Sequence, residues 1–198
     1  MTDPEVNEKR AIRADVRQRR QAQGAIGASQ AGEGISLQIQ ELLTQTDARR
    51  VACYLSSEFE PNTRHFLKWA LEHEVDVLLP ITRDDGLLDW TLSDGVSERT
   101  HQWGFPEAVG EILGPIAINR VDLLLVPAAA VAHDGTRLGW GRGFYDKTLG
   151  SMEQRPPIWA IVHDDEFVPS LPSEIHDMPV DGVITPTRVI PLPLTEDR

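Results

Sequence analysis

Cysteine is almost missing from this chain: Cys53 stands alone among 198 residues. A single thiol cannot close an internal disulfide, and it does not make a cysteine-based zinc site. No apolar run reaches eighteen residues, so the sequence offers no helix long enough to span a bilayer. The opening "MTDPEVNEKR" is polar and acidic, unlike a secretory signal. A reducing cytoplasm is therefore the expected location. Positive charge is also scarce, with 19 Lys and Arg against 31 Asp and Glu and a net charge of −12. Such a surface repels phosphate backbones, so nucleic acid is not an expected partner.

The basic residues that are present are unevenly placed. Six lie between Lys9 and Arg20, with Asp15 the only acid among them. Lys9, Arg13, Arg17 and Arg20 are spaced four, four and three apart, which puts them on one helical face. On spacing alone a solvated basic face is the plainer reading, and a small-anion site is the alternative.

Residues 1–8 are expected to be disordered, and 9–198 to form one domain. A helix is expected from Lys9 to about Gln23, then a small-residue break over Gly24–Gly34. A second helix follows, with Ile35, Ile39, Leu42 and Leu43 as its apolar stripe. Residues 62–74 form a further expected helix. Short, near-continuous apolar runs at 51–56, 75–80, 121–127, 157–163 and 181–186 read as buried strands, and 86–92 as an extra extended segment. Together they predict an α/β fold: a single three-layer domain with a central, largely parallel sheet flanked by helices.

The stretch with most chemical content is "RLGWGRGFYDKT", residues 137–148. It fails the Walker A pattern, because Asp146 falls where the second glycine belongs. It fails the dinucleotide fingerprint, because Phe144 falls at the third glycine. What remains is G-x-G-x-G followed by a helix-compatible segment. Alternating glycines let a ligand approach the backbone and can free N–H groups to form an anion nest. A carboxylate among phosphates makes sense if magnesium lies between them. A ligand-free glycine turn is the competing reading, evenly weighted on the residues alone.

With its flanking segments, this stretch resembles the 5-formyltetrahydrofolate cyclo-ligase family, also called methenyltetrahydrofolate synthetases. The matching pieces are "KRAIR" (9–13), "EPNT" (60–63), "WGFPE" (103–107), "LLLVP" (123–127), the glycine stretch and "HDMPVDGVIT" (176–185), in that order. Departures are few. Val131 and Ala132 stand where members often carry Phe-Asp, Arg142 where many have Gly or Lys, and Phe144 where many have Tyr.

The resemblance implies ATP-dependent conversion of 5-formyltetrahydrofolate to 5,10-methenyltetrahydrofolate, with ADP and phosphate released. It implies an ATP site of Lys9, Arg13, Arg137, Leu138, Gly139, Trp140, Gly141, Arg142, Gly143, Phe144 and Tyr145. It assigns the folate to Leu55, Glu60, Trp103, Trp140, Gly141, Arg142, Gly143 and Phe144, and Mg2+ to Asp146 and Asp177. The implied partners are the small-molecule substrates folate and ATP; from charge and hydropathy no nucleic acid and no membrane are expected, and the expected state is a monomer. Two alternatives stay open: the same ATP chemistry on another N-acyl substrate, and a nucleotide- or folate-binding protein without turnover. His133, His163 and His176 have no metal-ligand spacing, and Cys53 reads as an inert buried thiol.

Overall fold

Successive strand residues face opposite sides of a sheet, and here both sides are apolar. Val51 and Cys53, Val77 and Leu79, Leu123 and Leu125 belong to one buried cluster. The residues between them, Ala52, Leu78 and Leu124, belong to a second. This double burial is why the strands read as continuous apolar runs. The computed structural model describes residues 4–152, 155–173 and 178–193.

The described elements run α1 (Pro4–Thr46), β1 (Arg50–Ala52), α2 (Arg64–Glu72), β2 (Asp76–Thr82), β3 (Leu88–Leu92), β4 (Glu98–Thr100) and β5 (Pro106–Ala108). They continue through β6 (Leu123–Pro127), β7 (Ala130–Ala132), β8 (Arg137–Leu138), α3 (Phe144–Gly150), β9 (Ile158–Ile161), β10 (Phe167–Val168), β11 (Gly182–Ile184) and β12 (Val189–Pro191). Among the described residues, seven strands make the central sheet in the order β12-β11-β9-β6-β1-β2-β3. The inner five are parallel, and β12 and β3 pair antiparallel at the edges. The expected three-layer α/β architecture is the one observed. Ile35, Ile39, Leu42 and Leu43 of α1 cover one face together with Phe66, Leu67 and Ala70 of α2. Leu149 of α3, Val131 of β7 and Ile118 in the short 3-10 turn at Pro115–Arg120 cover the other.

Two expectations about the N-terminal region need correction. Residues 4–8, expected to be disordered, form the first turns of α1. The break expected over Gly24–Gly34 is a single kink at Gly24 (φ 70°, ψ 170°), after which the helix resumes. Low intrinsic helix propensity is overridden here by packing. Ala31 and Gly32 are buried, and a Cβ on Gly32 would come within 2.9 Å of Asn62 Cβ, ahead of α2. Small residues thus let α1 approach α2 closely.

The kink gives α1 two separate docking sites. Its second half lies on the sheet. Its first half sends Val16, fully buried, into a small cluster with Ala129 and Leu138, beyond the end of β6.

Candidate active site

In open parallel sheets, ligands bind beyond the carboxyl ends of the strands, where the strand order turns. The chain passes from β1 outward to β2, then returns to place β6 on the other side of β1. Residues at or just past the ends of these strands line one cavity of about 500 Å3. Tyr54 and Leu55 come from the β1 end, Pro80 and Thr82 from β2, and Pro127 from β6.

The glycine stretch forms one wall. β7 and β8 pair antiparallel as a hairpin, Val131 opposite Arg137, and deliver the loop directly into the cleft. Gly141 (φ 84°) and Gly143 (φ 72°) hold left-handed backbone that side chains resist. Gly143 ends the loop as the N-cap of α3. Arg137 is buried, 4% exposed, and donates to Pro127 O at 3.2 Å and to the Asp146 carboxylate. Trp140, Gly141, Arg142, Gly143, Phe144, Tyr145 and Asp146 line the cavity with Gly139 and Arg137.

The opposite wall carries the residues that the resemblance assigns to folate. Leu55, Glu60 and Trp103 all line the same cavity. Glu60 Oε2 accepts from Ser57 N at 2.9 Å and Ser57 Oγ at 2.7 Å, which fixes the carboxylate at the cleft edge. Trp103 sits at the tip of the β4–β5 hairpin with His101 and Phe105, which stack at 4.6 Å. The Trp103 ring lies 5.8 Å from Phe144, and the Arg142 guanidinium lies 4.6 Å over it. The aromatic tip therefore touches the glycine loop across the cleft.

Three assigned residues do not line the cavity. Leu138 is packed in the small cluster with Val16. Lys9 is buried, with Nζ 3.6 Å from Glu5. Arg13 donates from Nε to Gly139 O at 2.7 Å, and its guanidinium carbon lies 3.4 Å from where a Cβ on Gly141 would sit. Arg13 thus meets the loop from behind. Asp177 and His176 lie outside the described residues.

Burial sets the protonation states. It pushes Tyr54 and Tyr145 well above the ordinary phenol range, and Cys53 up to about 12. Cys53 is a neutral, inert thiol, as its sequence context suggests. Among the described residues, the buried Tyr145 hydroxyl and Trp140 indole nitrogen have no hydrogen-bond partner, and both residues line the cavity. Glu107 anchors the aromatic hairpin to β2 by accepting from Thr82 N at 2.8 Å, Thr82 Oγ1 at 2.6 Å and Arg99. Burial raises its carboxyl, but the bonds from Thr82 and Arg99 outweigh this and leave it below the usual carboxylate range. Among the described residues, no three His, Cys, Asp or Glu side chains form a metal cluster.

Some cleft residues are not among those assigned from the sequence. Tyr54, Phe59, Phe105 and Arg17 line the cavity. Phe105 stands inside the matching stretch "WGFPE", two positions beyond Trp103, the one residue of that stretch assigned to the site. Ala132, where the sequence departs from the family pattern, is fully buried in β7 and does not line the cavity.

A cleft at the turning point of a doubly covered α/β sheet, cationic and glycine-lined on one side, carboxylate and aromatic on the other, marks a small-molecule-binding α/β protein. The sequence profile of the 5-formyltetrahydrofolate cyclo-ligase family matches residues 5–186. The chain belongs to that family. It is 35% identical over 147 residues to a 5-formyltetrahydrofolate cyclo-ligase of Mycolicibacterium smegmatis, covering 72% of this chain and 76% of that one. It is 28% identical to the Haemophilus influenzae enzyme of the same name, covering 89% and 96%. In fold it is similar to the solved 5,10-methenyltetrahydrofolate synthetase of Aquifex aeolicus, with TM-score 0.78, 23% identity, and 96% and 95% coverage. No helix among the described residues is long and apolar enough to cross a membrane.

Proposed function

We propose that this chain converts 5-formyltetrahydrofolate and ATP into 5,10-methenyltetrahydrofolate, ADP and phosphate. The observation that carries the reading is one cavity holding both implied half-sites. Leu55, Glu60 and Trp103 face Arg137 and loop 139–146 across about 500 Å3. Phosphoryl transfer needs positioning and charge stabilisation more than covalent help from the protein, and a shared cleft supplies both.

The formyl oxygen on N5 attacks the γ-phosphorus, and the bond to ADP breaks. N10 then attacks the activated carbon, the carbon–oxygen bond breaks, phosphate leaves with that oxygen, and the N10 proton passes to solvent. Glu60 accepts N–H bonds from the pterin and orients it. Trp103 and Leu55 give its flat faces apolar contact. Loop N–H groups and Arg142 receive phosphate oxygens, and Arg137 keeps Asp146 at the cleft.

Asp146 fits a magnesium role. Its side chain is 36% exposed at the cavity, and among the described residues Arg137 bonds only its Oδ1. Magnesium takes one or two carboxylates with phosphate oxygens, and it would spread the charge on the β- and γ-phosphates. Asp177 is the second ligand that the family resemblance supplies.

The test is direct. The protein is mixed with magnesium-ATP and 5-formyltetrahydrofolate, and methenyl absorbance is followed near the visible edge. Binding of both ligands without product would overturn the reading. Asp146→Asn should lower kcat by about a hundredfold or more while folate affinity holds. Normal turnover in that variant, checked in the same assay across magnesium concentrations, would remove the metal assignment.

A further inference from the structure

Arg20 belongs to the basic face of α1, yet it is not a nucleotide ligand. Its side chain is 3% exposed, and four of its five N–H donors are engaged. Nε and NH2 bind the Glu166 carboxylate as a fork, each at 2.7 Å. NH2 also donates to Ala128 O at 2.9 Å, and NH1 to Phe59 O at 3.1 Å. Its guanidinium lies 5.1 Å from the Trp140 ring centroid. Glu166, 1% exposed, accepts in turn from His163 N at 2.7 Å.

These partners lie on different walls of the cleft. Phe59 immediately precedes Glu60. Ala128 follows Pro127 on the cleft floor. Trp140 stands between Gly139 and Gly141 in the glycine loop. One planar group therefore touches the backbone beside the folate carboxylate, the end of β6 and the phosphate-side loop. We propose that Arg20, held by Glu166, is a positioning residue that sets the Glu60 loop and the Trp140 loop in register, so that the formyl oxygen meets the γ-phosphate. This inference rests on the two-substrate reading of the cleft.

The pair is poorly explained as stability alone. A buried ion pair can often be exchanged for apolar residues of similar volume without loss of stability. What an apolar pair cannot do is hold two carbonyls and an aromatic face in a fixed relation. Each loop keeps its own ligand contacts without Arg20, so separate affinities should hold. The relative placement of the two substrates should suffer, and an error of about 1 Å costs about a hundredfold in rate.

The experiment uses the full chain in two forms. Arg20→Met with Glu166→Met removes the pair without leaving a buried unpaired charge. Arg20→Lys keeps the charge but lacks the planar fork. For each, Tm is measured, then Kd for ATP and for 5-formyltetrahydrofolate separately, and kcat at saturation well below Tm. The expected result is kcat down about a hundredfold, with each Kd within about threefold of wild type. A merely structural role would lower Tm without this split. Wild-type kcat in either folded variant overturns the proposal, and if the double variant does not fold, Arg20→Lys decides. If the unaltered protein binds both ligands without turnover, the functional reading fails separately. Register is then read as the change in ATP affinity when folate is bound, and an unchanged ratio in the variants overturns the Arg20 role.

Discussion

Single side chains in this cleft carry separable duties, and Glu60 shows it best. One carboxylate oxygen is pinned by Ser57, while the side chain stays at the cavity wall. A hydrogen bond to a charged group contributes about 1.5–3 kcal/mol, which corresponds to roughly tenfold to a hundredfold in affinity. Glu60→Gln should raise KM for 5-formyltetrahydrofolate by that factor and leave KM for ATP unchanged. Steady-state kinetics with each substrate varied in turn checks both halves. Arg137 and Asp146 have a more entangled relation. Truncating Asp146 would leave a buried guanidinium unpaired, and stability would fall for reasons unrelated to catalysis. The Asn variant, which keeps an acceptor, is therefore the cleaner probe.

At the scale of elements, the glycine loop is a backbone device. Gly141 holds φ 84°, and Arg13 closes in on the space where a Cβ would be. Left-handed backbone costs an ordinary residue about 1–2 kcal/mol. Gly141→Ala should thus weaken ATP binding by roughly tenfold with a smaller effect on folate, measured by calorimetry on each ligand. This loop was legible through the family resemblance of the whole stretch, since on the residues alone a ligand-free glycine turn weighed as much. The buried strands were legible too, because both sheet faces demand apolar side chains. The sequence reading placed strands at 75–80 and 121–127, and the structure has them at Asp76–Thr82 and Leu123–Pro127. The continuity of α1 past Gly24 was not legible, since four glycines, Gly24, Gly27, Gly32 and Gly34, argue for a break until α2 packs against the helix. Neither was the β4–β5 hairpin. Its strands are three residues each, and β4 is wholly exposed, so it has no apolar period to find. Arg20 was hidden for a related reason: its face of α1 matches a solvated helix in pattern, and only a distant glutamate makes it structural.

For the molecule as a whole, acid sensitivity follows from groups whose folded state resists protonation. Burial holds His163 below its usual value of 6.5, against the opposing field of Glu166. The unfolded chain then binds a proton that the folded chain does not, so stability rises with pH across that range. The His163 contribution is complete above the unfolded value near 6.5 and is lost as pH falls through the lower folded value. Asp164 behaves likewise further down. Burial raises it, but bonds from Thr185 and Thr187 bring it below the usual 3.8. Tm should decline from pH 7 toward pH 5, then decline again in the carboxylate range. His163→Gln should flatten the first decline and leave the second, as thermal melts across pH would record. The same corner of the molecule has a bearing on how the chain is made. Arg20 and Glu166 are 146 residues apart, and Arg19 reaches Asp165 over the same distance. Contacts so distant form late, because a long loop must close before they give anything back. During synthesis Arg20 has no carboxylate to fork onto until β9 and the segment after it have emerged. The brace across the cleft therefore waits on a segment made well after both of the loops it joins, with β10, β11 and β12 still to follow.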